Sequence, residues 1–221
     1  MVLLDTNRII GLYAPQNYGK TYAMSILARQ ISEHVPVFVY DTNFERLTAY
    51  PQNVKNISFI KAKKISEQET PEFLNKTILY LRANLSNFFL FIEDLDKLIK
   101  SNQKTAETME IFKLASDSRH QRIGIVYATK EPTNIPVKLR SNTNLFFIGQ
   151  FIEPTHLKTI GGYVDKKLIK RLKKPEFIML DRYTNTISKS TLFVSGLYIT
   201  SSSVSYSVVS GRTSIHYLKR N

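Results

Sequence analysis

Ala14-Pro15-Gln16-Asn17-Tyr18-Gly19-Lys20-Thr21 decides how this chain folds. Ahead of it, Arg8-Ile9-Ile10-Gly11-Leu12-Tyr13 is a short apolar run with strand character. Behind it, Ala23, Ile26, Leu27 and Ile31 recur at helical spacing over Thr21 to Ile31. Strand, glycine-bearing loop and helix are the setting in which backbone N–H groups form a nest for phosphate. Gly19 lets the backbone approach an anion with no Cβ in the way. Lys20 is placed to reach the β and γ phosphates, and the Thr21 hydroxyl to meet Mg²⁺. Ala14 stands where the first glycine of the pattern is usual. The expected phosphate-binding set is Ala14, Pro15, Gln16, Asn17, Tyr18, Gly19, Lys20, Thr21 and Tyr22.

Further along, Phe88-Phe89-Leu90-Phe91-Ile92 is a continuous apolar run, as in a strand buried on both faces, and it leads straight into Glu93-Asp94. Carboxylates at the C-terminal end of such a strand lie where α/β sheets bind ligands. We assign Glu93 to the metal shell with Thr21, and Asp94 to water activation. The reverse assignment stays open, and Asp96 is a third candidate.

Val35 to Tyr40, Asn56 to Ile60, Ile123 to Ala128 and Leu145 to Ile148 read as further strands. Pro71 to about Leu85 and Thr105 to Ala115 read as helices. Alternation of this kind implies crossovers, hence an α/β fold with a mostly parallel central sheet and helices on both faces. The spacing between the phosphate loop and the acidic pair leaves room for an inserted strand. Residues 1–153 are expected to form the P-loop core, and 154–221 a small basic extension of helix plus β strands packed on the same domain. In that extension Val164 to Lys174 reads as an amphipathic helix and Glu176 to Leu180 as a strand. Residues 190–221 have β character, as an edge hairpin or a mobile tail.

The 221 residues carry 31 Lys and Arg against 18 Asp and Glu, a formal charge of +13. Such a surplus favours a polyanionic partner through counterion release. It is uneven, with twelve basic and three acidic residues from Thr155 onward. Lys166, Lys167, Lys170, Arg171, Lys173 and Lys174 are the candidate phosphate-backbone contacts; a solvated helix face or a docking surface is the competing reading. Cysteine is absent, which excludes disulfides, thiolate metal sites and a cysteine nucleophile. No apolar run approaches bilayer length and the N-terminus lacks a signal-peptide pattern, so a soluble intracellular protein is expected.

Several segments together resemble the FtsK–HerA superfamily of DNA-pumping P-loop ATPases. Val37-Phe38-Val39-Tyr40-Asp41-Thr42-Asn43-Phe44-Glu45 is similar to its second-strand motif. Arg119-His120, the strand Ile123 to Ala128 and Thr129-Lys130-Glu131-Pro132 resemble its third. Together with Leu139-Arg140-Ser141-Asn142, the pattern is most similar to the genome-packaging ATPases of icosahedral double-stranded DNA viruses, including archaeal ones. The resemblance covers roughly residues 8–150. It implies a motor that hydrolyses ATP with Mg²⁺ to package double-stranded DNA, as a homo-oligomeric ring, commonly a hexamer; the competing readings are another DNA-transfer or virus-assembly ATPase of that superfamily, or a nucleotide-dependent DNA-binding protein with little turnover. It also implies a capsid or portal-vertex protein as docking partner, in the host cytoplasm. It places Thr129 and Lys130 near the γ-phosphate, with Lys130 where glutamine is usual. It implies an arginine acting on the neighbour's site, with Arg119 the first candidate, then Arg122 and Arg140.

Overall fold

The computed structural model describes residues 8–42, 49–50, 54–62, 64–99, 109–193, 196–209 and 212–217. In chain order the elements are β1 (Ile9–Tyr13), α1 (Lys20–Ser32), β2 (Val37–Tyr40), β3 (Ile57–Ile60), α2 (Ile65–Gln68), α3 (Pro71–Asn84), β4 (Phe88–Ile92), α4 (Leu95–Leu98) and α5 (Met109–Gln121). There follow β5 (Ile123–Thr129), α6 (Val137–Asn142), β6 (Leu145–Ile148), α7 (Pro154–Ile160), α8 (Lys166–Lys170), β7 (Glu176–Asp181), β8 (Thr186–Phe193), β9 (Gly196–Val209) and β10 (Arg212–Tyr217). Glu45, the acid of the second-strand motif, and Thr105 to Thr108 lie outside the described residues.

The strands form one sheet in the order β10-β9-β8-β7-β6-β1-β5-β4-β2-β3. From β3 to β6 every neighbouring pair is parallel, and from β6 to β10 every pair is antiparallel. The stretch between the phosphate loop and the acidic pair supplies β2 and β3, which lie beyond β4, and β5, from after the acidic pair in sequence, is the strand that lies between β1 and β4.

Strand geometry sends alternate side chains to opposite faces, and the core divides accordingly. Ile9, Tyr13, Leu90, Ile92, Ile125 and Tyr127 pack with α3, α5, α6 and α7 on one face. Ile10, Leu12, Val39, Phe89, Phe91 and Val126 pack against Ala23, Met24, Leu27 and Ile31 of α1 on the other. Both faces of β1, β4 and β5 are therefore buried, which is why their sequences read as unbroken apolar runs. The crossovers bring the C-terminal tips of the six parallel strands to one edge, and the phosphate loop lies there.

Helix α3 starts where the sequence places it, with the Thr70 hydroxyl accepting from Phe73 N–H and Pro71 in the first turn. The expected helix over 164–174 is only one turn, Lys166–Lys170, with the Asp165 carboxylate accepting from Lys167 N–H. Pro175 disfavours helical backbone at Lys174, and the chain turns instead through Lys173–Glu176, where Glu176 N–H donates to Lys173 O. Of the two alternatives for 190–221, the described residues form strands, β8 to β10, that continue the sheet by antiparallel pairing.

Candidate active site

The loop between β1 and α1 bends through two left-handed residues, Asn17 at φ 58° and Gly19 at φ 99°. Asparagine tolerates that region and glycine occupies it freely. The turn makes Gly19 the N-cap of α1 and aims the first N–H groups of the helix into the loop. The loop is pinned from three sides. Ala14 N–H donates to Thr129 O at 3.2 Å, which ties it to the tip of β5. The Tyr18 hydroxyl donates to Glu176 O at 2.8 Å, and its ring meets Phe177 edge-on, which ties the loop to β7. Gly149 makes room behind it: a Cβ there would stand 2.6 Å from the Tyr18 ring and 2.7 Å from Ala14 Cβ. The Tyr18 side chain is thus an anchor buried against β7. Lys20 is 7% exposed, and its ammonium donates to Ala14 O and Pro15 O at 2.8 Å each, across the mouth of the loop.

Glu93, Asp94 and Asp96 follow β4 and are all buried. Glu93 faces the phosphate loop, with Thr21 Oγ1 donating to its Oε2 at 3.3 Å. Its Oε1 accepts from the Tyr50 hydroxyl at 2.7 Å. Asp94 takes the left-handed conformation (φ 45°) as N-cap of α4, and Lys97 Nζ lies 3.5 Å from its Oδ2. A non-glycine residue in that region is uncommon and is met at functional sites. Asp96 Oδ1 accepts from Lys130 N–H at 3.2 Å. Burial, the main influence, raises the Asp96 carboxyl above the usual range; the hydrogen bond from Thr129 opposes it, and the charge of Asp94 adds to it.

Lys20, Thr21 and Asp94 border an open cleft of about 610 Å³ whose lining also includes Gln16, Asn17, Gly19, Tyr22, Ala49, Lys97 and Lys130. A second cleft of about 520 Å³ shares Gln16 and Lys130 with it and runs under Phe151, Ile152 and His156, with Lys174 on its rim. Thr21 and Glu93 supply hard oxygen donors side by side, a set that fits Mg²⁺ when phosphate and water supply the other ligands. Among the described residues no three His, Asp or Glu group as a self-sufficient metal site.

The structure gathers most of the expected residues on this edge and leaves others away from it. Arg119 lies near the end of α5, which leads into the N-terminal end of β5. β5 is seven residues long, which puts its N-terminal end roughly 20 Å from Thr129 at the tip. Arg122, at φ 52°, sits at the same end, and Arg140 lies on α6, which precedes the N-terminal end of β6. Lys166, Lys167, Lys170, Arg171, Lys173 and Lys174 are all exposed. Tyr50 and Lys97 were not anticipated. A tyrosine beyond β2 carries no motif signal, whereas Lys97, three residues from Asp94, is an i,i+3 partner that the helix turn at 95–98 would have suggested.

The sequence profile of AAA, the ATPase family associated with various cellular activities, matches residues 10–151. The chain belongs to that family. No curated protein matches the chain in sequence. Among solved structures, this AAA ATPase is similar to the genome packaging NTPase B204 of Sulfolobus turreted icosahedral virus 2 in complex with ATP-gammaS. The TM-score is 0.71 at 16% identity, covering 86% of this chain and 99% of that one. B204 of Sulfolobus turreted icosahedral virus, a DNA-packaging ATPase, gives 0.67 at 18% identity over 83% and 96%. The pCW3 conjugation coupling protein TcpA gives 0.55 at 16% identity, over 78% of this chain and 57% of that one. The resemblance to packaging ATPases therefore holds at the level of the fold. Among the described residues, no helix of this AAA ATPase is long and apolar enough to cross a membrane.

Proposed function

We propose that this ATPase is a DNA-translocating motor that drives viral double-stranded DNA into a preformed capsid. The observation that carries the proposal is the match of nearly the whole fold to a genome-packaging NTPase, on a chain of +13 charge. Of the exposed cations from Lys166 to Lys174, Lys174 lines the second cleft. These cations suit backbone contact that ignores base sequence, as a motor that travels along DNA requires.

The chemistry follows from the cleft. The loop N–H groups and the ammonium of Lys20 hold the triphosphate, Lys20 exchanging its two loop carbonyls for phosphate oxygens. Thr21 and Glu93 would hold Mg²⁺, which when bound neutralises charge on the β and γ phosphates. Asp94, which lines the cleft, orients the attacking water and accepts its proton. Lys130 approaches the γ-phosphate from the tip of β5.

The backbones of Arg119, Arg122 and Arg140 precede β5 or β6 at the far edge of the sheet, a position that suits service in a neighbouring site. That arrangement needs head-to-tail packing, the heterologous contact that closes into a ring, and a hexamer is the state we propose. The Arg119 backbone is placed by α5, and its role in the neighbour's site is part of this proposal.

A triplex-displacement assay tests the function: the ATPase should strip a third strand from double-stranded DNA only with hydrolysable ATP. Displacement with a non-hydrolysable analogue, or none with ATP on DNA that the protein binds, would contradict it.

A further inference from the structure

Strands β4 and β5 pair in parallel, and the register ends at Ile92 opposite Tyr127. Beyond that point the backbones part. Glu93 N–H donates to Tyr40 O, the next rung of the β2–β4 ladder, while β5 runs on to Thr129 against Tyr13 of β1. The two strand tips carry the two halves of the hydrolytic cleft, the acidic pair on β4 and Lys130 on β5, yet no ladder hydrogen bond joins them there.

Asp96 bridges that gap. It sits on α4 with only 4% exposure, its Oδ1 accepts from Lys130 N–H at 3.2 Å, and the Thr129 hydroxyl hydrogen-bonds the same carboxylate. Thr129 Oγ1 in turn accepts from Glu131 N–H at 3.0 Å, so three consecutive residues beyond the end of the β4–β5 pairing connect to one acid. A carboxylate is an expensive group to bury, and it is kept where it is satisfied by hydrogen bonds. The charged group that acts on it is Asp94, on its own turn. Its acceptor is spent on a backbone N–H, which fixes where the Lys130 Cα sits whatever the lysine side chain does.

We propose that Asp96 is a positioning residue: it locks the tip of β5 to the acid-bearing turn after β4, and so sets the distance of Lys130 from the γ-phosphate and from Asp94. It touches neither nucleotide nor water itself. The inference rests on the reading of Lys130 as the γ-phosphate contact.

The test compares Asp96→Ala, Asp96→Asn and Lys130→Ala in the full chain without DNA. Asp96→Asn keeps an oxygen acceptor for Lys130 N–H and lacks the charge. Asp96→Ala should lower kcat by about tenfold or more while the affinity for an ATP analogue changes by less than about threefold. Asp96→Asn should return kcat to within about threefold of the parent. Adding Asp96→Ala to Lys130→Ala should cost little more than Lys130→Ala alone, because both remove one arm. Amide hydrogen exchange at residues 129–131 should speed up in Asp96→Ala and stay protected in Asp96→Asn. Should Asp96→Ala not fold, Thr129→Val, which cuts one of the two links, takes its place with the same direction of change. Unchanged kcat or unchanged exchange in the alanine variant, multiplying losses in the double variant, or normal turnover in Lys130→Ala would each overturn the proposal. DNA enters none of these measurements, so a failure of the DNA-motor reading, seen in strand displacement, is separate from a failure here.

Discussion

Tyr50 donates its phenolic hydrogen to Glu93 Oε1 at 2.7 Å, while Thr21 Oγ1 donates to the other oxygen of the same carboxylate at 3.3 Å. One side chain from beyond β2 and one from the phosphate loop thus hold Glu93 in a single orientation. Hydrogen bonds to an ionised group contribute about 1.5–3 kcal/mol. Tyr50→Phe, which keeps the ring and its contact with Phe59, should therefore lower ATP turnover by roughly tenfold or more. Steady-state phosphate release measures it; turnover equal to the parent would show that Glu93 needs no such support.

The two acids should separate by function. Glu93→Gln weakens the Mg²⁺ donor set and should raise the Mg²⁺ concentration needed for half-maximal turnover. Asp94→Asn should leave binding of nucleotide intact and cut turnover by about a hundredfold or more, the scale of a lost general base. Magnesium titrations of both variants decide it, and a shifted Mg²⁺ requirement in Asp94→Asn alone would reverse the assignment.

Tyr13, Tyr40 and Tyr127 lie in the core, and burial, the largest influence on each, raises their phenol pKa values above the usual value of 10.0. Tyr13 and Tyr127 also share a hydroxyl contact at 2.8 Å. The folded chain holds these protons more tightly than the unfolded chain. Their contribution to stability is whole below about pH 10 and falls as the pH rises past it. In an alkaline titration followed by ultraviolet absorbance and circular dichroism, these phenolates should appear only as the helices melt. Full tyrosine ionisation in a chain that keeps its circular dichroism would contradict the burial.

The cations of 166–174 predict a salt signature. Each phosphate contact contributes about −0.9 to the slope of log affinity against log salt on double-stranded DNA. Replacing Lys166, Lys167, Lys170 and Arg171 with glutamine should flatten that slope by up to about four contacts' worth. An unchanged slope in fluorescence-anisotropy titrations would place the DNA elsewhere.

What could be read in advance depended on how local the determining physics is. β4 and β6 are copied from the sequence residue for residue, because strands buried on both faces must be apolar throughout, as Phe88 to Ile92 is. The phosphate loop was legible because its chemistry needs one strand, one glycine and one lysine in a row. Helix 164–174 was not, because the apolar positions Leu168 and Leu172 fit a helix while Pro175 ends it early, and the pattern outweighed the breaker. Tyr18 looked like a loop residue near phosphate; its partners Glu176 and Phe177 lie about 160 residues on, beyond any local signal. Tyr50 and the bond from Lys130 N–H to Asp96 join strand tips that only the folded sheet brings together. Arg119 could be found by its motif, but its distance from the cleft appears only once α5 is seen to enter the far end of β5.

The most direct test of the whole account is phosphate release by the parent chain and by Lys20→Ala, each with and without double-stranded DNA. The account predicts magnesium-dependent hydrolysis that DNA accelerates in the parent, and none in Lys20→Ala under either condition. Hydrolysis by Lys20→Ala at the parent rate would remove the phosphate loop from the chemistry, and a parent rate indifferent to DNA would remove the motor.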